Sequence, residues 1–285
     1  MIKKEKRKNV QNNLLKIWER VKNGESMAKI GLDYNCSRET IGHELRKNNL
    51  KAFELDTRTY KANDNFFKEI DSEIKAYLLG FFYADGTITT DNRLCIRLSQ
   101  KDVEVLELYR SNICPEKNIS ENLIYNSPSS MGINRKPQCH FRFKSLIMIE
   151  HLKQYNIVNN KTLRQEPVLQ FIPDNMKPHF IRGFMDGDGS INKGRFGVSF
   201  ACANYIVVKE IIDYLKLHNI VFTEKKYKNK SDFWAVGCWN GENCFKFLSL
   251  IYKDYQFCLK RKEQNALEQM RRYREGCKTN SLCNA

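Results

Sequence analysis

Apolar positions in this chain fall into helical runs and alternating runs, and each switch from one to the other begins at the same motif. Residues 77–88 read YLLGFFYADGTI and residues 180–191 read FIRGFMDGDGSI. Leu78, Leu79, Phe81 and Phe82 are apolar nearly all round, which predicts a buried helix. The two stretches stand 103 positions apart, pairing Gly80 with Gly183, Phe81 with Phe184, Asp85 with Asp188, Gly86 with Gly189 and Ile88 with Ile191. A mid-helix glycine costs about 1 kcal/mol against alanine. Its repetition therefore suggests two backbones packed closely. Asp-Gly then ends each helix and leaves a carboxylate at its mouth.

After each motif the period becomes two. In residues 92–100, Leu94, Ile96 and Leu98 alternate with Arg93, Cys95, Arg97 and Ser99, which predicts a strand with a core face and a partly cationic face. Asp102 is placed to cap a helix through Val103, Leu106, Leu108 and Tyr109. A strand pair follows at 122–125 and 138–144, with a breaker-rich tip between them, and then a helix at 145–155. The second half repeats this order: a strand at 195–201, a helix at 205–217, strands at 221–228 and 232–240 with a basic tip, and a helix at 245–252. A basic helix at 261–274 and a frayed tail close the chain. The expected fold is α+β, with two pseudo-symmetric αββαββα repeats forming a saddle-shaped antiparallel sheet, plus a small all-α N-terminal domain.

Ahead of the repeats, residues 1–9 read as a loose basic tail. Val10, Leu14, Leu15, Trp18 and Val21 then recur at helical spacing up to Asn23-Gly24. A short helix at 26–34, a left-handed turn at Asn35 and an N-cap at Ser37 outline a helix-turn-helix. Arg38, Glu39, Thr40 and His43 would face a groove; the plainer reading is a helical bundle with a solvated basic face. The resulting domains are a helix-turn-helix at 1–55, a linker at 56–70 that docks in part on the next domain, repeats at 71–172 and 173–276, and a tail at 277–285.

Charge narrows the partner. With 48 Lys+Arg against 33 Asp+Glu, the chain carries +15 and calls for a polyanion. No run approaches the ~18 apolar residues of a membrane span, and the basic start leads into no signal region. Nucleic acid is the expected partner, with no membrane, in a protein held inside its host cell, in cytoplasm or organelle. Ten cysteines without a CxxC pair read as reduced thiols rather than a zinc site.

Two motif helices side by side would bring Asp85 and Asp188 together. Neighbouring carboxylates repel unless a cation lies between them, and hard oxygen donors suit Mg²⁺ or Mn²⁺. Alone, either acid would be an ordinary helix-end residue. Arg93, Arg97, Ser99, Arg142 and Lys144 in the first half, with Arg195, Lys228 and Lys230 in the second, would line a cationic trough for a duplex major groove. Any one of these taken singly is more simply a solvated charge.

Residues 71–276 resemble the LAGLIDADG homing endonucleases in their single-chain, two-repeat form. The nine letters fall on LLGFFYADG (78–86) and IRGFMDGDG (181–189), with Tyr83 where the name has its earlier Asp. The resemblance implies metal held by Asp85, Asp188 and the carbonyls of Ala84 and Gly187, with catalytic support from Gln100, Lys161 and Lys262. The second-half counterpart of Gln100 is Asn204 or Ala203. It further implies a monomer that cuts both strands of a long asymmetric duplex site, leaving short 3′ overhangs. A non-cleaving DNA-binding regulator and an RNA maturase are the alternatives on this scaffold. Without splicing signals at either end, an intein is not expected.

Overall fold

The computed structural model describes residues 2–22, 25–48, 50, 60–123, 137–228 and 232–283. Asn23-Gly24, most of the first hairpin tip and Lys230 lie outside the described residues. The chain forms two compact units, Met1–Thr59 and Tyr60–Ala285.

In the first unit, α1 (Ile2–Asn12) and α2 (Leu14–Lys22) precede α3 (Met27–Asp33) and α4 (Arg38–Lys47). The stretch read as a loose tail is helical from Ile2. Lysine, arginine and glutamate are good helix formers, and the helix is anchored from one side. Val10 is fully buried with Ile17, Val21, Ile30, Ile41 and Leu45. Arg7 and Gln11 both donate to the buried Glu44, Nε at 2.5 Å and Nε2 at 2.8 Å. The tight turn between α3 and α4 matches expectation. Asn35 takes φ 50°, and Ser37 Oγ accepts from Thr40 N at 3.3 Å.

The second unit runs α5 (Glu73–Asp85), β1 (Gly86–Ile88), β2 (Arg93–Ser99), α6 (Val103–Ile113), β3 (Ser120–Leu123), β4 (Gln138–Lys144), α7 (Leu146–Lys153). It then repeats as α8 (Lys177–Asp188), β5 (Gly189–Ile191), β6 (Val198–Cys202), α9 (Tyr205–Leu217), β7 (Thr223–Lys228), β8 (Asp232–Cys238), α10 (Gly241–Ile251) and adds α11 (Lys260–Cys283). Among the described residues there are two antiparallel four-stranded sheets, ordered β1-β2-β4-β3 and β5-β6-β8-β7, rather than one continuous sheet. Of the stretch read as a linker, Phe66, Phe67 and Ile70 are buried in this unit's core. The last helix continues past Gly276, where the sequence suggested fraying, to Cys283.

The two repeats coincide in architecture but not at one constant offset. Gly86 pairs with Ile96 and Gly189 with Phe200, so the second strand is shifted by one residue relative to the motif. Between β2 and α6 the first half inserts a 3₁₀ turn, Gln100–Asp102, which the second half lacks. In consequence Asn204 answers to Gln100 by sheet register and to Asp102 as the residue before the helix.

Candidate active site

The site is built on the contact between α5 and α8. A methyl group on Gly80 would lie 2.0 Å from the Phe180 carbonyl oxygen, and one on Gly183 would lie 2.0 Å from that of Tyr77. These contacts are equivalents of each other in the two repeats. Only glycine allows main chain to approach so closely. At the C-terminal ends the approach persists: a methyl on Gly187 would meet Ala84 Cβ at 2.3 Å and Asp85 Oδ2 at 3.1 Å. The sequence expectation of two abutting glycine-bearing helices holds.

Asp85 and Asp188 end these two helices. Asp85 is half-buried and Asp188 is exposed. Burial first, and then the charge of Asp188, push the Asp85 carboxyl up to about 6. Asp188 opens to solvent on one side, yet the chain packed around it desolvates its carboxyl enough to raise it as well, against the opposing charges of Lys161 and Lys262. Each acid therefore sits where its ionised form is disfavoured unless positive charge arrives.

Two buried lysines hold the chain around the acids. Lys161 Nζ donates to the Gly86 carbonyl. Lys262 Nζ donates to the carbonyls of Met185, Asp186 and Gly189, each at 2.7 Å, and to Gly187 at 3.3 Å. These are carbonyls of the last turn of α8 and the residue beyond it, where helical partners run out; the Met185 carbonyl also accepts from Gly189 N. Gly86 and Gly189 are equivalent, so the lysines do the same job in both halves, with Lys262 gripping more. Desolvation lowers both to about 8, while the surrounding carboxylates oppose it.

Gln100 follows β2 as the first residue of the 3₁₀ turn, and its Nε2 donates to Glu121 at 3.0 Å. Asn204 is buried and structural. It caps α9 through Ile206 N (3.1 Å) and Val207 N (3.4 Å), and donates to Tyr83 Oη (3.2 Å) and Glu166 O (2.7 Å). Asp102 makes no side-chain cap, contrary to its sequence role. Its carboxylate instead takes a two-point contact from Arg261, Nε at 2.8 Å and Nη2 at 3.0 Å.

Three polar groups went unrecognised in the sequence. Arg182 is fully buried in α8. It donates to Phe257 O (2.8 Å), Ile251 O (2.7 Å) and Glu73 Oε1 (2.5 Å), tying the start of α5 to α8. A charge inside so apolar a run was the available signal. Asp186, also buried, accepts from Tyr77 Oη (2.9 Å) and Leu259 N (2.7 Å) and is raised to about 6 by burial. The pairing of Asp102 with Arg261, far away in sequence, had no local signal.

The first sheet carries the polar face expected of it. Register places Arg93 with Lys144, Cys95 with Arg142, Arg97 with His140 and Ser99 with Gln138. Asp91 balances part of this charge, accepting from Arg93 at 2.9 Å and Arg142 at 3.2 Å. The second sheet does not match the first. Its solvent face pairs Ser199 with Gly237 and Ala201 with Ala235, where the first sheet has Cys95 with Arg142 and Arg97 with His140. Lys225 is the cation on the described part of that face, because period two sends Lys226 to the other side beside Trp234. Arg195 is exposed but precedes β6, in a turn set by Gly194 at φ 72°. Lys228 stands in register with Asp232 at the strand end. In the first unit Arg38 and His43 are exposed on α4 and Thr40 is half-buried. Arg38 Nε pairs with Glu39 at 3.1 Å and His43 Nδ1 contacts Arg7 Nη2 at 2.9 Å.

Among the described residues no group of three or more His, Cys, Asp or Glu is arranged to hold a metal. The two carboxylates and the carbonyls of Ala84 and Gly187 expected from the sequence, the Gly187 carbonyl already accepting from Lys262 at 3.3 Å, would make an all-oxygen set. It fits a hard divalent ion such as Mg²⁺ or Mn²⁺ and does not fit zinc. No helix among the described residues is long and apolar enough to cross a membrane.

Residues 176–252 match the family model described as a LAGLIDADG-like domain, so the second repeat contains that domain. A search of curated proteins returns no match. Among solved structures, the I-SmaMI LAGLIDADG homing endonuclease bound to cleaved DNA is similar over 73% of this chain and 91% of its own, at 10% identity and TM-score 0.49. The LAGLIDADG homing endonuclease I-GzeII in complex with its DNA target covers 73% and 92%, at 16% identity and TM-score 0.47. Full-length DUF199/WhiA from Thermatoga maritima covers 77% and 72%, at 15% identity and TM-score 0.42.

Proposed function

We propose, from a chain whose second repeat is a LAGLIDADG-like domain, that this protein is a site-specific double-strand DNA endonuclease requiring a divalent metal. The observation that supports it best is the pair Asp85 and Asp188, delivered to one place by helices in main-chain contact. A DNA-binding fold needs no such pair, since two desolvated carboxylates repel each other and the phosphates alike.

Asp85, Asp188 and the carbonyls of Ala84 and Gly187 would hold Mg²⁺ or Mn²⁺. The metal, when bound, neutralises charge on the scissile phosphate and assists water attack and departure of the leaving oxygen. Lys161 and Lys262 fix the chain around each acid, so the carboxylates keep their aim. Their ammonium charges also favour the ionised form of both acids. Gln100 would order water at the Asp85 half of the site, giving up its Glu121 partner to do so. Because the halves differ, the second half supplies Asn204 as a helix cap and no equivalent amide. The two strands are thus cut by unlike half-sites, with short 3′ overhangs, in a long asymmetric target read by a monomer. The first unit adds contacts through Arg38, Thr40 and His43 in a second groove. Homing of an intron is the biological role this activity suits.

The test is incubation of the full chain with a randomised duplex library and Mg²⁺, followed by sequencing of the new ends. Asp85→Asn and Asp188→Asn are each expected to abolish defined ends while duplex retention persists. Cleavage surviving in both would remove the metal assignment. Sequence-selective retention without any cleavage by the unaltered chain would make the protein a regulator.

A further inference from the structure

The two sheets present chemically opposite surfaces at equivalent positions. Where the first has Arg97, His140 and Arg142, the second has Ala201, Ala235 and Gly237, as the two registers show. Ser199 and Thr223 flank these small residues in register with Gly237. Farther along, Tyr227 and Phe233 face each other across β7 and β8 with rings 5.3 Å apart and nearly parallel at 8°. The Lys225 ammonium lies 5.1 Å from the Tyr227 ring. Ala201, Ala235, Ser199 and Thr223 line one depression of about 470 Å³ that also includes Asp188, Glu224, Lys225 and Trp239, the last 58% exposed.

Because this surface is continuous with the acid that would cut one strand, its occupant is the duplex flanking that cut. Guanine offers two acceptors in the major groove, N7 and O6, which are answered by arginine or lysine. Ala201, Ala235 and Gly237 bring no donor to those acceptors, the depression is lined by no arginine, and its Lys225 ammonium lies over the Tyr227 ring, so guanine finds there no two-point partner of the kind arginine provides. Thymine offers a C5-methyl group, which alanine methyls and aromatic edges contact favourably. At Ala201, Ala235 and Gly237 no long side chain rises from the sheet, so the methyl can approach it there. The first sheet reverses every part of this: Arg97 and Arg142 are donors suited to guanine.

We propose that the second sheet reads a thymine-rich half-site through its methyl groups, and that the first reads a guanine-containing one. This rests on the duplex-binding part of the proposed function.

The experiment uses the full chain in EDTA, selecting duplexes from a randomised pool. Each thymine of the recovered sequence is then replaced by deoxyuridine, which keeps the hydrogen-bonding edge and loses only the methyl. Uracil in one half-site is expected to weaken binding about three- to four-fold per contacted methyl, the factor for one buried methyl-sized group. Uracil in the other half is expected to leave binding unchanged. Ala201→Arg, a change at an exposed strand position, should move one preference in the uracil-sensitive half from thymine to guanine and thereby assign that half to the second sheet. Selected duplexes that tolerate uracil throughout, or that are guanine-rich in both halves, overturn this inference and leave duplex recognition standing. Recovery of single strands alone, DNA or RNA, overturns duplex recognition and this inference with it, and gives Tyr227 and Phe233 to base stacking.

Discussion

Gly80→Ala separates a glycine required by contact from one merely tolerated in a helix. On an isolated helix the change stabilises by about 1 kcal/mol. Here the added carbon would lie 2.0 Å from the Phe180 carbonyl oxygen and 2.8 Å from its carbon, whereas carbon–oxygen contacts settle near about 3.3 Å. The obstacle is main chain, so no rotamer change relieves it, and α5 and α8 must part by about 1 Å. Overpacking of this kind costs roughly 1–3 kcal/mol. The displaced helix also loosens the packing of Tyr83 on Phe180 and Phe184, whose ring centroids lie 6.2 and 5.9 Å from its own. A net loss of about 2–3 kcal/mol is expected, lowering the melting temperature by about 5–10 °C for a unit of this size. Urea unfolding followed by circular dichroism measures it. Gly183→Ala meets the Tyr77 carbonyl oxygen at the same 2.0 Å. Because either change opens the same gap, the double variant should lose less than the sum of the single ones. Either single variant proving as stable as the unaltered chain, or more so, would refute the close-contact reasoning.

Glu44 gives the first unit an acid-sensitive tie. Gln11 first, then Arg7 and His43, hold its carboxyl down at about 2, against burial. Its folded value lies below the unfolded one, so its contribution is complete above about pH 4.5 and fades as pH falls towards 2. Arg7 is 48% exposed, which limits the contribution to about 1–2 kcal/mol. Hydrogen exchange at α4 amides in the full chain should show that loss; Glu44→Gln should flatten it, and parallel curves for the two proteins would exclude the tie. The unequal grip of the two lysines predicts that Lys262→Met costs about 2–3 kcal/mol and Lys161→Met about 1, since charged hydrogen bonds to several carbonyls are lost in one and to one carbonyl in the other. Urea midpoints at constant slope decide the order, and a larger loss for Lys161→Met would contradict it.

The glycines and acids were legible because duplication wrote them twice, so that one copy served as control for the other. The αββαββα order was legible for a similar reason: period two and period 3.6 are local properties. The counterpart of Gln100 was not, because the segment joining the first two strands is one residue longer in the second half, and only strand register shows Asn204 there. Which cations share a face of the second sheet was not legible either, because only register shows it. Lys225 and Lys226 are neighbours in sequence, but they leave opposite sides of β7. The partners of Arg182, Asp186 and Asp102 come from segments that the fold alone brings together, and alternation along a strand or helix carries no record of them.

Gly80 against the Phe180 carbonyl and Gly183 against the Tyr77 carbonyl amount to one contact made twice, in opposite directions. Such a contact is isologous, and its geometry does not depend on a peptide connection between the partners. A single ancestral half could have dimerised through it, each protomer offering one glycine and one carbonyl, before fusion joined the pair. Fusion would then have freed each half to diverge, since a change on one strand surface no longer had to appear on its twin.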